Sequence, residues 1–257
     1  MLKMRATRAA WRLWAPAVTV AVTAAAAGVV SAAPASAQTI VNCPAQNLQT
    51  AIDSADSGSM IMVAGTCVGS FTVDKDLSLV GFNGAVLDGN AAGTTLSVGA
   101  GAHVQITAVD ITNGSADNGA GLLNNGTVTL NSSTVHDSNA NFYGGAVLNA
   151  GTMTLNASTV HTSTADVGGG IANFSSSTLT LNASTVRNNT ALSGGGVANL
   201  GGTVLMNYSA VTLNTSVGGA DSDGGINNSG GSVSLLATAV TGNTPNNCTA
   251  AIEGCTD

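Results

Sequence analysis

One motif, lightly edited, returns five times in the second half of the chain, and a chain built that way has few shapes open to it. The units begin GAGLLNNGTVTLNSSTVH at Gly119, GGAVLNAGTMTLNASTVH at Gly144, GGGIANFSSSTLTLNASTVR at Gly168, GGGVANLGGTVLMNYSAVT at Gly194 and GGINNSGGSVSLLATAVT at Gly224. Their first apolar residues, Leu122, Val147, Ile171, Val197 and Ile226, are spaced by 25, 24, 26 and 29, so one unit is about two dozen residues. Within a unit the apolar residues alternate, as in Val128 and Leu130 or Leu179 and Leu181, with Asn, Gly and Ser between the runs. Period two broken by turn residues means short strands, and no unit holds ten residues of helix-forming pattern.

Three short strands and three turns per unit describe one coil of a β-solenoid, each strand pairing with its copies about 4.8 Å above and below. A single coil turns only a few Val, Leu or Ile side chains inward, worth about 1.5 to 3 kcal/mol each when buried. Fixing its backbone costs about 1 to 2 kcal/mol per residue. Stability therefore belongs to the column of coils. The sequence predicts an all-β chain, a right-handed parallel β-helix of roughly seven to eight coils over residues 59–245, with a C-terminal cap or tail at 246–257. Residues 38–58 read as an N-terminal cap: Leu48, Ala51, Ile52 and Ala55 fall at helical spacing, with Asn47 able to cap the start and Gly58 the end.

Asparagines recur in register. Asn124, Asn149, Asn173, Asn199 and Asn228 share one place in the repeat, and Asn131, Asn156, Asn182 and Asn207 another. Asn tolerates the left-handed bend and its amide chains to the next, so both rows read as structural ladders. Sequons such as Asn156-Ala157-Ser158 follow automatically from a repeat rich in Ser and Thr.

Residues 1–37 have the form of a secretory signal peptide, with Lys3, Arg5, Arg8 and Arg12, then an apolar run from Ala15 to Val30, then Ala35-Ser36-Ala37. Cleavage there leaves Lys75 and Arg187 against thirteen acidic residues, a formal charge of −11 on 38–257. Such a surface repels nucleic acid and anionic lipid. The expectation is a secreted monomer, free or held at a cell surface, with no membrane span after cleavage. Export also favours disulfides, and among three connectivities the economical one pairs Cys43 with Cys67 and Cys248 with Cys255.

The recurring GGGI-x-N followed by TLTL-x-x-STV, together with LQTAID and VAGTCVGSFTVDKDLSLVG near the N-terminus, resembles secreted right-handed parallel β-helix proteins of the pectin-lyase-like superfamily over residues 43–248. The leader looks bacterial. GGAV at Gly144 is also similar to the glycine motifs of outer-membrane adhesins, but the companion F-x-x-N is absent. The resemblance implies the fold and leaves the activity open, because lyases, hydrolases and adhesins share it.

Three constellations bear on chemistry. His136, His161 and Arg187 follow STV in consecutive coils and should form an outward column, a candidate proton-transfer or metal strip with Asp137 nearby. The competing reading is a solvated variable position, since no carboxylate lies in register on the neighbouring coils. Asp221 and Asp223 in GGADSDGG read as an acidic loop that could offer oxygen ligands for calcium, and apart from calcium no cofactor is expected. Thr127 and Thr129, Thr152 and Thr154, Thr178 and Thr180 form T-x-T rows that resemble the ice-binding face of some β-solenoids. The leading expectation is a secreted, non-catalytic protein offering a Thr/Ser/Asn face to a polysaccharide or protein at a cell surface, matrix or host. A carbohydrate-active enzyme, lyase or glycosidase, is the alternative and an ice binder the second.

Overall fold

Alternation and turn chemistry produce the column the sequence requires. A computed structural model describes residues 38–219, 222–250 and 252–256, so the proposed signal peptide lies outside the described residues. Strands stack in parallel sheets, one strand per coil, forming a β-solenoid of about eight turns. Sheet I holds nine strands, sheet II eight, sheet III five and sheet IV seven. One coil runs through Thr127–Asn131 in sheet I, Thr134–His136 in sheet II, Asn139–Tyr143 in sheet III and Val147–Asn149 in sheet IV.

The fourth strand corrects the expectation of three. Sheet III begins only at Ser115–Asn118 and turns small residues such as Ala140 and Ala191 inward, so the segment carries no period-two signal in large apolar residues. It ends in glycines for a physical reason. Gly144 adopts φ 66°, and a Cβ on Gly145 would collide with the carbonyl oxygens of Thr164 and Gly169 on the next coil.

The core is a set of columns. In sheet I, Ile61, Leu79, Ile106, Leu130, Leu155, Leu181 and Met206 stack in register, all fully buried. In sheet II, Leu87, Ile111, Val135, Val160, Val186 and Val211 do the same.

Both asparagine ladders form, with a correction to their conformation. The inner row continues the sheet IV column occupied by Val73 and Val98, pointing inward with each Nδ2 donating to the next Oδ1, from Asn124 to Asn149 (2.7 Å), Asn173 (2.8 Å), Asn199 (3.0 Å) and Asn228 (2.9 Å). The outer row runs with opposite polarity, Asn207 donating to Asn182, Asn182 to Asn156 and Asn156 to Asn131, each at 2.9 Å. Neither row sits in the left-handed region. The residue after the outer row does, at Ser132, Ala157, Ala183 and Tyr208, with φ of 48° to 51°. The amides fix the bend from beside it rather than by adopting it.

Two polar rows escaped sequence reading. Ser133, Ser158, Ser184 and Ser209, the serines of S-x-V, each offer Oγ to a backbone N–H on the preceding coil. Asn189, Asn214 and Asn243 form a third buried ladder at the corner of sheets II and III.

The N-terminal end is covered by helix α1, Leu48–Ser54, which buries Leu48 and Ile52. Asn47 caps its start, accepting from the Thr50 N–H. It ends at Ala55, whose N–H turns back to the Ala51 and Ile52 carbonyls; Gly58 belongs to the turn beyond. Thr39–Asn42 already pairs with Ser59–Ala64, so the solenoid starts inside the expected cap. Cys43–Cys67 and Cys248–Cys255 are both disulfide-bonded, as an oxidising compartment allows. Among the described residues no helix is long and apolar enough to cross a membrane.

Candidate functional site

The outward column of sheet II carries the most concentrated chemistry. His136 pairs in register with His161, and His161 with Arg187. The two imidazoles stack with centroids 4.9 Å apart and planes inclined by 12°.

No carboxylate stands in register on the neighbouring coils, as expected, since His136 faces Thr112, yet one reaches it from the side. Asp110 stands in register with Thr134, two residues before His136, and reaches His136 diagonally: Nε2 to Oδ1 is 3.4 Å. On the other side Asp137 Oδ2 meets His136 Nδ1 at 2.7 Å. Repeat register marks only neighbours directly opposite, whereas diagonal contacts lie within reach of long side chains on one sheet face.

These contacts drive the two histidines apart. The hydrogen bond that His136 donates to Asp110, supported by Asp137, raises His136 above the usual histidine value although partial burial opposes it. Partial burial lowers His161, and the charges of His136 and Arg187 lower it further. Asp110 in turn is held below the usual carboxylate range by its bond to His136. The Thr162 hydroxyl lies 2.8 Å from His161 Nδ1. The strip thus runs from carboxylates through a histidine whose pKa is raised and one whose pKa is lowered to a guanidinium, and titrations pushed apart in this way suit proton transfer.

The sign for stability differs between the rings. The His136 contribution is complete below the unfolded value near 6.5 and is lost as pH rises through its raised folded value. The His161 contribution is present above that unfolded value and is lost as pH falls through its lowered one. An NMR titration of the Cε1 protons should show midpoints on opposite sides of the ordinary histidine value, with Asp110→Asn bringing the His136 midpoint down. Coincident midpoints would sink the stacked arrangement.

Sheet I presents a different surface. Thr127, Thr152, Thr178 and Thr203 form one outward column, Thr129, Thr154 and Thr180 a second, and the outer asparagines a third. Leu205 interrupts the second column. At the N-terminal edge His103 continues the first column, its backbone N–H and its Nδ1 both meeting Asp76 Oδ1, at 2.9 and 3.0 Å. The backbone bond, then the ring, lower Asp76 from the usual range. This pair was not singled out in the sequence, where its members are 27 residues apart with nothing marking them as neighbours.

Asp221 lies outside the described residues. Asp223 is buried and its Oδ2 is taken up by Asn227 Nδ2 and Thr249 Oγ1, both at 2.6 Å, which ties the last coils to the tail. That use is structural, and among the described residues no group of three His, Cys, Asp or Glu side chains is arranged to hold a metal ion.

Comparison of the chain with protein-family models, with curated proteins and with solved structures finds no match.

Proposed function

We propose that this chain is a secreted right-handed β-helix of the pectin-lyase-like type that works as a binding protein, laying the threonine and asparagine face of sheet I against a repetitive ligand at a cell surface or matrix. The observation that carries the reading is the three-column array, in which hydroxyls and amides recur about every 4.8 Å along the axis and every second residue across it. A regular array of donors and acceptors matches a polymer, polysaccharide or protein, whose own groups repeat. Many weak contacts then add through multivalency.

The test is binding of residues 38–257 to an array of polysaccharides and matrix proteins, with and without calcium. Leu205 shows that the second column accepts leucine, so Thr154→Leu/Thr180→Leu should leave melting unchanged. It should weaken binding about tenfold, roughly 1.4 kcal/mol. Binding unaffected by that pair would overturn the proposal, and ice shaping abolished by it would assign the face to ice instead.

The second reading, a carbohydrate-active enzyme, draws on the divided histidines of sheet II. His161 would be the proton acceptor, with Arg187 beside it to hold an oxyanion. Polysaccharide cleavage that His161→Ala abolishes, with the sheet I variant still active, would establish it.

A further inference from the structure

In sheet III the strand Asn139–Tyr143 carries one residue more than its neighbours. Between Ala116 and Asn118 the preceding coil spends Asp117 alone, whereas their partners Ala140 and Tyr143 are separated by both Asn141 and Phe142. The following coil is short by the same residue, since Thr164 and Val167 pair with Asn139 and Tyr143. A bulge of this kind re-aims the side chains it carries. Here it leaves Phe142 51% and Tyr143 37% exposed, and the Tyr143 ring meets Phe174 of sheet IV edge to face, with centroids 5.2 Å apart. Residues 38–257 hold all four Phe and both Tyr of the chain but neither Trp, and three of those six rings gather here.

Folding does not ask for them. At the place of Tyr143 the other coils carry Asn118, Val167 and Ser193, and each enters the same glycine turn without the extra residue. Carboxylates flank the rings on the adjoining strands, where Asp117 and Asp166 are both exposed. Asp117 Oδ1 accepts from Asn141 Nδ2 at 2.7 Å, within the bulge itself, and Asp166 has no hydrogen-bond partner among the described residues. No cation of residues 38–257 answers them: Lys75 is spent on the Asp53 and Ala55 carbonyls, and Arg187 stands in sheet II.

We infer that this bulged aromatic corner is a docking site, separate from sheet I, for arginine side chains of a basic partner protein. Two properties select the guanidinium. The charge of −11 on residues 38–257 draws in a cation and repels an anion. Exposed rings then favour a cation that stacks, and a guanidinium is planar, weakly hydrated and able to lie on a ring face while its N–H groups donate to a carboxylate beside it. A lysine ammonium is more strongly hydrated and has no face to stack. A neutral sugar would use the rings and leave the charge of Asp166 unanswered.

Tyrosine fluorescence reads the site directly, because residues 38–257 lack Trp and Tyr208→Phe leaves Tyr143 as the single reporter. An end-capped peptide of six arginines should perturb that emission and bind about two- to fivefold more tightly than the matching six-lysine peptide at the same ionic strength. Phe142→Ser changes an exposed side chain, so it should leave melting unchanged and erase the preference for arginine while the lysine peptide binds as before. Asp166→Asn should weaken the arginine peptide without disturbing the rings. Equal affinity for the two peptides overturns the inference. So does a preference for arginine that survives both substitutions, which would place the contact elsewhere. Emission that answers to maltohexaose and to neither peptide would assign the rings to sugar stacking and overturn it equally.

Discussion

Val160→Asp should unfold the middle of the column. Val160 is fully buried between Val135 and Val186 on the adjacent coils, and among the described residues no charged group shares its interior column. An uncompensated buried charge costs on the order of 3 to 5 kcal/mol. Whole domains have only about 5 to 15 kcal/mol in hand. At this chain length the loss corresponds to a fall in melting temperature of roughly 10 °C or more. Because coils stabilise only their neighbours, limited proteolysis should cut first in the coils around residue 160. Val160→Ala is the control: it leaves a small cavity and should cost about 1 to 3 kcal/mol without a new cleavage site. Melting and digestion of the Asp variant that match wild type would refute the register of sheet II.

Asn173→Ala should cost about 3 kcal/mol or more, out of proportion to the size of the side chain. Its Oδ1 accepts from Asn149 and from the Ser177 hydroxyl, and its Nδ2 donates to Asn199 Oδ1 and to the Thr203 carbonyl. Truncation strands partners that water cannot reach, and unsatisfied buried groups carry the full desolvation penalty. Asn173→Val should do no better, although Val73 and Val98 occupy the same column in the first coils: Val98 meets only Asn124, whose Oδ1 accepts from the Gly126 N–H and whose Nδ2 donates to Asn149, whereas Asn173 stands between two amides that both bond to it. Urea unfolding read by circular dichroism measures both. A loss below about 1 kcal/mol would mean that the ladder is a consequence of the stack rather than a support of it.

The column itself was legible because two signals agreed. Alternation in TLTLN and in STV placed Leu179, Leu181 and Val186 inward, and the spacing of the glycines set how far the chain travels before it returns. The fourth sheet was not legible, since alanine inside and polar residues outside give its strands no contrast. The site divides in the same way. Stacking of His136, His161 and Arg187 follows from repeat arithmetic alone. The pairing of Asp110 with His136 depends on a diagonal reach between unlike places in two coils, which periodicity does not encode. The outward Thr columns were read correctly as positions, while what they contact is a matter of the ligand.

Equivalent residues meet at nearly every coil boundary: Thr127 rests on Thr152 as Thr152 rests on Thr178, and Asn131 on Asn156 as Asn156 on Asn182. Seen from Thr127, the coil that starts at Thr152 and the coil that starts at Thr178 are interchangeable seats. The interior of this molecule therefore has no intrinsic size. Whole coils can be lost or duplicated in descent while the core columns and asparagine ladders keep their chemistry, and the two ends, where α1 and the cysteine-bearing tail make contacts of their own, bound the stack.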